Sequence, residues 1–122
     1  MELDDNNNYA LVGIGDIERK LGHIDLAVEN YKKCLEYFPA NNYALFGLAD
    51  CYRGMNQQFK SIEYWNRILE LDPNNKVILT RAGDAFRTTG NLDKAVEYYN
   101  KALNIDFDVY AAIGLALICK CE

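Results

Sequence analysis

Apolar side chains in the first third of the chain recur at intervals of three and four residues. In the first stretch they are Leu11, Ile14, Ile17 and Leu21. The pattern breaks at Gly22, resumes through residues 24–38 and stops at Pro39. Intervals of three and four keep side chains on one face of an α-helix, and glycine and proline are residues at which helices end. The pattern therefore predicts a helix, a tight turn and a second helix.

The same order of elements returns with a period of 34 residues. At this spacing like residues fall into columns, among them Leu11, Leu45 and Leu79; Asp16, Asp50 and Asp84; Arg19, Arg53 and Arg87; and Tyr31, Trp65 and Tyr99. A fixed period of this length is typical of stacked helical repeats. The spacing predicts seven helices, at about residues 8–21, 25–38, 42–55, 59–72, 76–89, 93–106 and 109–121. Asn41-Asn42 and Asp93 are the predicted caps of the helices that follow them.

Two columns of small residues indicate how each predicted helix pair packs. Gly15, Ala49 and Gly83 lie on the first helices, and Ala27, Ser61 and Ala95 on the second helices. Small side chains let paired helices approach closely, and the aromatic column that contains Trp65 is expected to fill the space between one hairpin and the next. A single hairpin cannot bury its apolar faces, so its neighbours complete the core.

These features resemble the tetratricopeptide repeat, a helix–turn–helix unit of 34 residues. The second unit matches the family pattern with Leu45, Leu48, Ala49, Tyr52, Ser61, Trp65, Ile68 and Pro73. The other two units each depart from the family pattern at one position. In the first unit Glu18 replaces an aromatic residue, and in the third unit Phe107 replaces a proline. The resemblance implies an all-α, right-handed solenoid in one domain, residues 1–122. Its repeats are residues 8–41, 42–75 and 76–109, followed by an additional helix at about 109–121.

Both ends of the pattern suggest that repeats are missing. Residues 3–7 match residues 71–75, and residues 1–7 are interpreted as the tail of a preceding repeat. Residues 110–116 match residues 43–49, the opening helix of a further repeat, if the intervening loop is one residue shorter. A capping helix in this family usually has a polar outer face, whereas Leu115, Leu117 and Ile118 are expected to stay uncovered. The chain is thus interpreted as a fragment of a longer array, or as a complete protein whose last helix is an apolar cap or a dimer seam.

Composition and charge exclude several classes of partner. The 13 basic and 18 acidic residues give a net charge of −5, which argues against binding a nucleic acid or an anionic membrane surface. No apolar run approaches the roughly 20 residues that span a bilayer, and Met1-Glu2-Leu3-Asp4-Asp5 is acidic where a signal peptide is basic. Unpaired cysteines at core positions of the repeat favour a reducing compartment, the cytoplasm.

Few residues offer chemistry. His23 is the single histidine, it lies in a turn, and no catalytic set can be assembled without it. Cys119-Lys120-Cys121 provides two thiols where a structural zinc site needs four ligands. The chain is therefore predicted not to be an enzyme and to need no metal or cofactor.

The resemblance implies that the first helices line the concave side of the stack, which holds a protein or peptide partner. The candidate peptide-binding residues are Tyr9, Val12, Asp16, Arg19, Tyr43, Phe46, Asp50, Arg53, Val77, Arg81, Asp84, Arg87 and Ile113. Aromatic and arginine side chains are common anchors in protein recognition. In the alternative interpretation the Asp and Arg side chains only neutralise one another, and Tyr9, Tyr43 and Phe46 pack between repeats.

A subtype of the family grips the C-terminal carboxylate of chaperone tails with Lys, Asn and Arg. Its positions correspond to Val12, Asp16, Gly47, Val77 and Arg81. Because Arg81 alone is suitable and Asp16 repels a carboxylate, this subtype is rejected. The sequence instead predicts an assembly scaffold that binds a peptide segment or helix of a partner. The second interpretation is a self-association module in which repeat ends stack head to tail as a homo-oligomer, or a regulatory part of a larger protein.

Overall fold

A computed structural model describes the backbone of residues 5–121 and the side chains of residues 8–119. Over that range the chain forms seven helices and no strand. They are α1 (Asp5–Lys20), α2 (Ile24–Tyr37), α3 (Asn42–Gly54), α4 (Gln58–Leu71), α5 (Lys76–Thr88), α6 (Leu92–Ile105) and α7 (Val109–Cys121). The predicted bounds are confirmed to within one residue, except that α1 begins three residues earlier than expected. The helices pair as α1–α2, α3–α4 and α5–α6, and α7 packs on the last pair.

Asparagine side chains start three of the helices. The side-chain oxygen of Asn41 accepts a hydrogen bond from the amide of Ala44, and Asn75 caps α5 in the same way. For α6 the predicted cap was wrong: Asn91 accepts from the amide of Lys94, and Asp93 lies inside the first turn. Asn91 is the residue before the helix, where a short side chain can reach the free amides of the first turn.

The turn inside each hairpin uses one column of the repeat. Gly22, Asn56 and Gly90 all have positive φ, of 86°, 61° and 88°. Only residues that tolerate the left-handed region make so tight a connection, and asparagine replaces glycine there more readily than other residues do. The glycine-containing breaks in the pattern are therefore backbone requirements.

The aromatic column fills the junctions between hairpins, as expected. Tyr31, Trp65 and Tyr99 have no exposed surface. The ring of Tyr31 lies between Gly15 of α1 and Gly47 of α3, and a Cβ atom on either glycine would overlap it. Tyr99 is held in the same way by Gly83 of α5 and Gly114 of α7. The glycines thus admit a ring between successive first helices, a role beyond the close pairing expected of Gly15 and Gly83.

Helix α7 is more fully packed than its sequence suggested. Ala111 and Ile118 are buried in the core that α7 shares with the preceding hairpin, and Leu115 packs against that core. The expectation that Ile118 stays uncovered was wrong, because its side chain lies on the side of α7 that faces this hairpin. Leu117, on another side of the helix, is 41% exposed.

Candidate functional site

The four first helices α1, α3, α5 and α7 form one side of the molecule, called here the first-helix face. Each exposes an apolar side chain at the same position of the repeat. These residues form the exposed row: Tyr9, Tyr43, Val77 and Tyr110, which are 51–72% exposed. Three of the four are tyrosines, whose amphipathic rings are suited to a contact that is dry on one side and wet on the other. The fold leaves this row uncovered, so it is available to a ligand.

The candidate peptide-binding residues are called here the groove residues. Those that lie one turn further along the helices than the exposed row are less accessible. Phe46 is half-buried and meets the ring of Trp65 edge-on, with 5.4 Å between ring centroids. Val12 is half-buried against the core around Tyr31, while Ile113 of α7 is half-exposed. Phe46 and Val12 thus have packing roles in addition to any contact with a ligand.

Asp50 is the centre of a charged cluster on the first-helix face. Arg19 reaches it from α1, with 2.5 Å between Nη1 and Oδ2, and Arg53 reaches it from the next turn of α3. Burial by itself would raise the pKa of Asp50, but the hydrogen bonds and charges of Arg53 and Arg19 outweigh it and lower the pKa. Asp16 lies 3.6 Å from Arg19. Much of the predicted Asp and Arg ladder is therefore neutralised within the protein.

The third repeat pairs its charges differently. The hydroxyl of Tyr99 donates to Asp84 and accepts from Nε of Arg87, and Arg87 lies 3.8 Å from Asp84. Burial and the hydrogen bond to Asp84 raise the pKa of Tyr99 to about 12. The hydroxyl of Tyr31 donates to Asp16 in the equivalent way, and its pKa is raised for the same two reasons. These aspartates orient core tyrosines as well as facing solvent.

Arg81 differs from the other groove arginines. No carboxylate among the described side chains lies within 4 Å of it, and its guanidinium lies 5.9 Å from the centre of the Phe46 ring. It borders a cleft of about 450 Å³ between α5 and the start of α7. The cleft is lined by Lys76, Val77, Thr80, Arg81, Asp84, Asp108 and Tyr110. The structure thus brings together three of the predicted groove residues, Val77, Arg81 and Asp84, with Tyr110 of the exposed row.

Cysteine and metal chemistry have little support in the described part of the chain. Among the side chains of residues 8–119, no three His, Cys, Asp or Glu residues are grouped to hold a metal ion. Cys34 and Cys51 are buried free thiols, and burial raises the pKa of Cys51 to about 11. Cys119 is free and exposed, and the side chain of Cys121 lies outside the described range. None of the described helices is long and apolar enough to cross a bilayer.

Models of the tetratricopeptide repeat match residues 9–41, 42–75 and 78–109. Because these matches cover most of the chain, the protein belongs to the tetratricopeptide repeat family. Repeats of this family are in general non-catalytic interaction modules. Among curated proteins, none matches the sequence significantly.

Solved structures with the same fold are distant in sequence. The first tetratricopeptide domain of Spaghetti (RPAP3), bound to the HSP90 peptide SRMEEVD, is 20% identical with a TM-score of 0.89, over 99% of this chain and 97% of that one. The corresponding human RPAP3 domain is 21% identical with a TM-score of 0.82, over 93% and 90% of the two chains. The Sgt2 domain from Aspergillus fumigatus is 22% identical with a TM-score of 0.81, over 93% and 77%. At these identities the likeness shows the fold alone.

Two residues of structural importance to the face were not recognised from the sequence. Gly47 was named only as a position of the carboxylate-gripping subtype and Gly114 was given no role, yet both accept the edge of a tyrosine ring. The columns of the repeat contained a signal for this role. Tyr31 and Tyr99 of the aromatic column are each followed by a glycine on the next first helix, whereas Trp65 is followed there by Arg81.

Proposed function

We propose that the protein is a non-catalytic interaction scaffold that binds a peptide segment or helix of a partner along its first-helix face. The observation that carries the proposal is the exposed row. Apolar side chains at one repeat position stay uncovered on all four first helices. Since the interior of the fold buries every aromatic ring of the column that contains Trp65, exposure of a second aromatic series fits use in recognition.

The tyrosines of the row supply the anchors, and the charged residues tune them. Arg19, Asp50 and Arg53 are bound to one another, so a ligand gains little from displacing them. Arg81, with no carboxylate partner among the described residues, is the group that can pair with an acidic side chain of the ligand. The net charge of −5 favours a segment that is neutral or basic overall.

A solved neighbour supports peptide binding as a use of this fold, because it is bound to an HSP90 peptide. The binding chemistry need not be shared. At the positions where the carboxylate-gripping subtype carries Lys and Asn, this chain has Val12, Asp16, Gly47 and Val77. We therefore propose an internal segment with apolar side chains as the ligand, and not a free C-terminal carboxylate.

The compartment is part of the proposal. Two buried free thiols, Cys34 and Cys51, belong to one apolar cluster and form no disulfide. Free thiols of this kind fit a reducing environment, so we propose that the protein acts in the cytoplasm.

A displayed library of random peptides provides a ligand without knowledge of the natural partner. Peptides selected on the 122-residue chain are measured by calorimetry against a variant with Tyr43→Ala and Tyr110→Ala. We expect at least a tenfold loss of affinity, because exposed tyrosines act here as anchors. Phe59→Ala is the matched control, since Phe59 is equally exposed but lies on α4, away from the first-helix face. Unchanged binding by the tyrosine variant, or equal loss in the control, would contradict the proposal.

Phe46 contributes to the stability of the fold as well as to the proposed contact with a ligand. Because its ring packs on Trp65, Phe46→Ala should lower the melting temperature as well as affinity. Binding by this variant is therefore compared at a temperature well below its melting point. The tyrosine variant should keep the helix content and melting temperature of the unmodified chain.

A further inference from the structure

A second row of exposed apolar side chains lies where the second helices end. Tyr37, Leu71 and Ile105 occupy one repeat position, the last residue of α2, α4 and α6. Their side chains are 44–56% exposed. Leu71 belongs to the middle repeat, which has a hairpin on either side, so its exposure does not depend on where the chain begins or ends.

Phe107 extends this row onto the loop between α6 and α7. The equivalent loop positions hold Pro39 and Pro73, whereas Phe107 presents a ring that is 69% exposed. Its amide donates to Oδ1 of Asp106 at 2.8 Å, and its carbonyl oxygen accepts from Nζ of Lys76 at 3.2 Å. Lys76 also lies 3.7 Å from Asp106. An exposed ring on a loop fixed in this way loses little conformational freedom when it binds another molecule.

Acidic side chains flank the row. Glu36 and Glu70 lie in the last turns of α2 and α4, and Asp72 follows α4. All three are exposed, and among the side chains of residues 8–119 no Lys or Arg lies within 4 Å of their carboxylates. Because the carbonyl end of a helix favours a cation, these carboxylates are not placed to stabilise their own helices.

Two basic side chains reach the same edge of the molecule, and both are engaged there. Lys76 pairs with Asp106, and Arg67 donates to the carbonyl oxygen of Pro39 at 3.4 Å. The apolar row and the acidic residues beside it are called here the loop edge. Its members are Tyr37, Leu71, Ile105 and Phe107, with Glu36, Glu70, Asp72 and Asp106.

We propose that the loop edge binds a basic amphipathic segment of a partner protein. The apolar side chains of the segment would lie on Leu71, Ile105 and Phe107, and its Lys or Arg side chains on the flanking carboxylates. The row supplies contact area, and the carboxylates select the sign of the charge. The net charge of −5 attracts such a segment from a distance. The same charges repel a nucleic acid or an anionic membrane, which leaves a protein segment as the occupant.

Fluorescence anisotropy with a synthetic probe tests the loop edge without knowledge of the natural partner. The probe is a short labelled helix of leucine and lysine with one apolar and one basic face, and the reference probe has glutamate in place of lysine. The unmodified chain should bind the lysine probe and not the glutamate probe. Affinity should fall as salt rises, because screening weakens contacts between exposed charges. Equal binding of the two probes would overturn the proposal.

The apolar row is tested by combining Leu71→Ser and Phe107→Ser. We expect a loss of affinity of at least about tenfold, because these side chains are the proposed anchors. Leu26→Ser with Phe59→Ser is the matched control. Leu26 and Phe59 are 50% and 76% exposed, close to the values of 51% and 69% for Leu71 and Phe107, but they lie in the first turns of α2 and α4. Equal loss in both variants would indicate unspecific adhesion and overturn the proposal.

The acidic flank is tested by combining Glu36→Gln and Glu70→Gln. The control, Glu29→Gln with Glu63→Gln, changes exposed residues that lie two turns earlier on the same helices, so the net charge changes equally. The first variant alone should bind the lysine probe more weakly, by about two- to tenfold at low salt. Its melting temperature should not fall, because a carboxylate is not favoured at the carbonyl end of a helix. A lower melting temperature would overturn the proposal, since Glu36 and Glu70 would then serve the fold.

The variant with Tyr43→Ala and Tyr110→Ala separates the loop edge from the first-helix face. It should bind the lysine probe as the unmodified chain does, because the two rows lie on different helices. A loss as large as that caused by Leu71→Ser and Phe107→Ser would place the probe on the first-helix face and overturn the proposal.

Discussion

The junction between the first and second hairpins and the junction between the second and third use the same column in two ways. At the first, the ring of Tyr31 enters the space between Gly15 and Gly47. At the second, Trp65 occupies the equivalent place, but the neighbouring columns hold Ala49 and Arg81. The Tyr31 ring, flanked by two glycines, lies between first helices, whereas the larger Trp65 ring, without them, packs edge-on against Phe46.

The polar groups of Tyr31 and Trp65 have different surroundings. The Tyr31 hydroxyl reaches through to Asp16 at the first-helix face. Nε1 of Trp65 is buried and has no hydrogen-bond partner among the described residues. Trp65 is instead packed by apolar contacts, including the edge of Phe46. The junction between the third hairpin and α7 repeats the tyrosine solution, with Tyr99 between Gly83 and Gly114.

The residues that occupy neighbouring columns therefore depend on one another. Tyrosine requires glycine on the next first helix and an aspartate at the surface. Tryptophan tolerates arginine at the position of that glycine, as Arg81 shows, and packs against an apolar neighbour, Phe46. A change at one column should therefore be costly or harmless depending on which junction it touches.

The largest expected effect is at the tryptophan junction. Trp65→Ala should lower the free energy of unfolding by about 3–5 kcal/mol, because it removes a fully buried side chain whose space the fixed helices cannot close. Urea denaturation followed by circular dichroism measures the change. Phe59→Ala, which removes an exposed ring, should cost less than about 0.5 kcal/mol. A loss under about 1 kcal/mol for Trp65→Ala would place Trp65 outside the core.

The glycine requirement of the tyrosine junction is tested by Gly47→Ala. The added methyl group would overlap the Tyr31 ring, so we expect a loss of about 1–3 kcal/mol from overpacking. Gly13 occupies the same column in α1, where the added group would have no atom within 4 Å apart from the neighbouring backbone of its own helix. Gly13→Ala should therefore stabilise the protein by up to about 1 kcal/mol through helix propensity alone. Equal effects of the two substitutions, measured by urea denaturation, would show that Tyr31 does not need the glycine.

Much of the fold follows from local signals in the sequence. The period of 34, the breaks at Gly22, Asn56 and Gly90, and the cap at Asn41 fix the helices because they act on the backbone over a few residues. The burial of Trp65 follows from the same period. Ile118 was misjudged because its burial depends on which side of α7 meets the third hairpin, and that rotation is set by tertiary packing.

The candidate site was less predictable than the fold. The period places Tyr43 and Phe46 on one face, but it does not reveal that Phe46 leans on Trp65 while Tyr43 stays exposed. Likewise, the columns bring Arg19 and Asp50 to the same face without showing that they bind across the junction. Both outcomes depend on side-chain conformations in contact with another helix, about which spacing along one helix carries no information.

Alkaline pH should distinguish the two kinds of junction. Folding raises the pKa of Tyr31 and of Tyr99, so above about pH 10 the unfolded chain loses these protons before the folded chain does. Stability should then fall as pH rises, by up to about 1.4 kcal/mol per pH unit for each tyrosine. Tyr31→Phe should make this fall shallower, although it also lowers stability at pH 7 by removing a hydrogen bond. Urea denaturation at pH 9, 10 and 11 gives the slopes, and parallel curves for the two proteins would contradict the assignment.

The smallest expected effect concerns the ion pair that crosses the first junction. A double-mutant cycle with Arg19→Ala and Asp50→Asn should give a coupling energy of about 0.5–1 kcal/mol, because this pair is partly shielded from water and joins two hairpins. The cycle with Arg53→Ala and Asp50→Asn, within one helix, should give about 0.2–0.5 kcal/mol. Folding lowers the pKa of Asp50, so its contribution is present above the unfolded pKa of about 3.9 and is lost as pH falls through the folded value. The stability difference between the unmodified chain and Asp50→Asn should therefore shrink between pH 5 and pH 2. If the Arg53 pair proves the stronger of the two, Asp50 serves mainly its own helix, and the ion pair between Arg19 and Asp50 contributes little to the first junction.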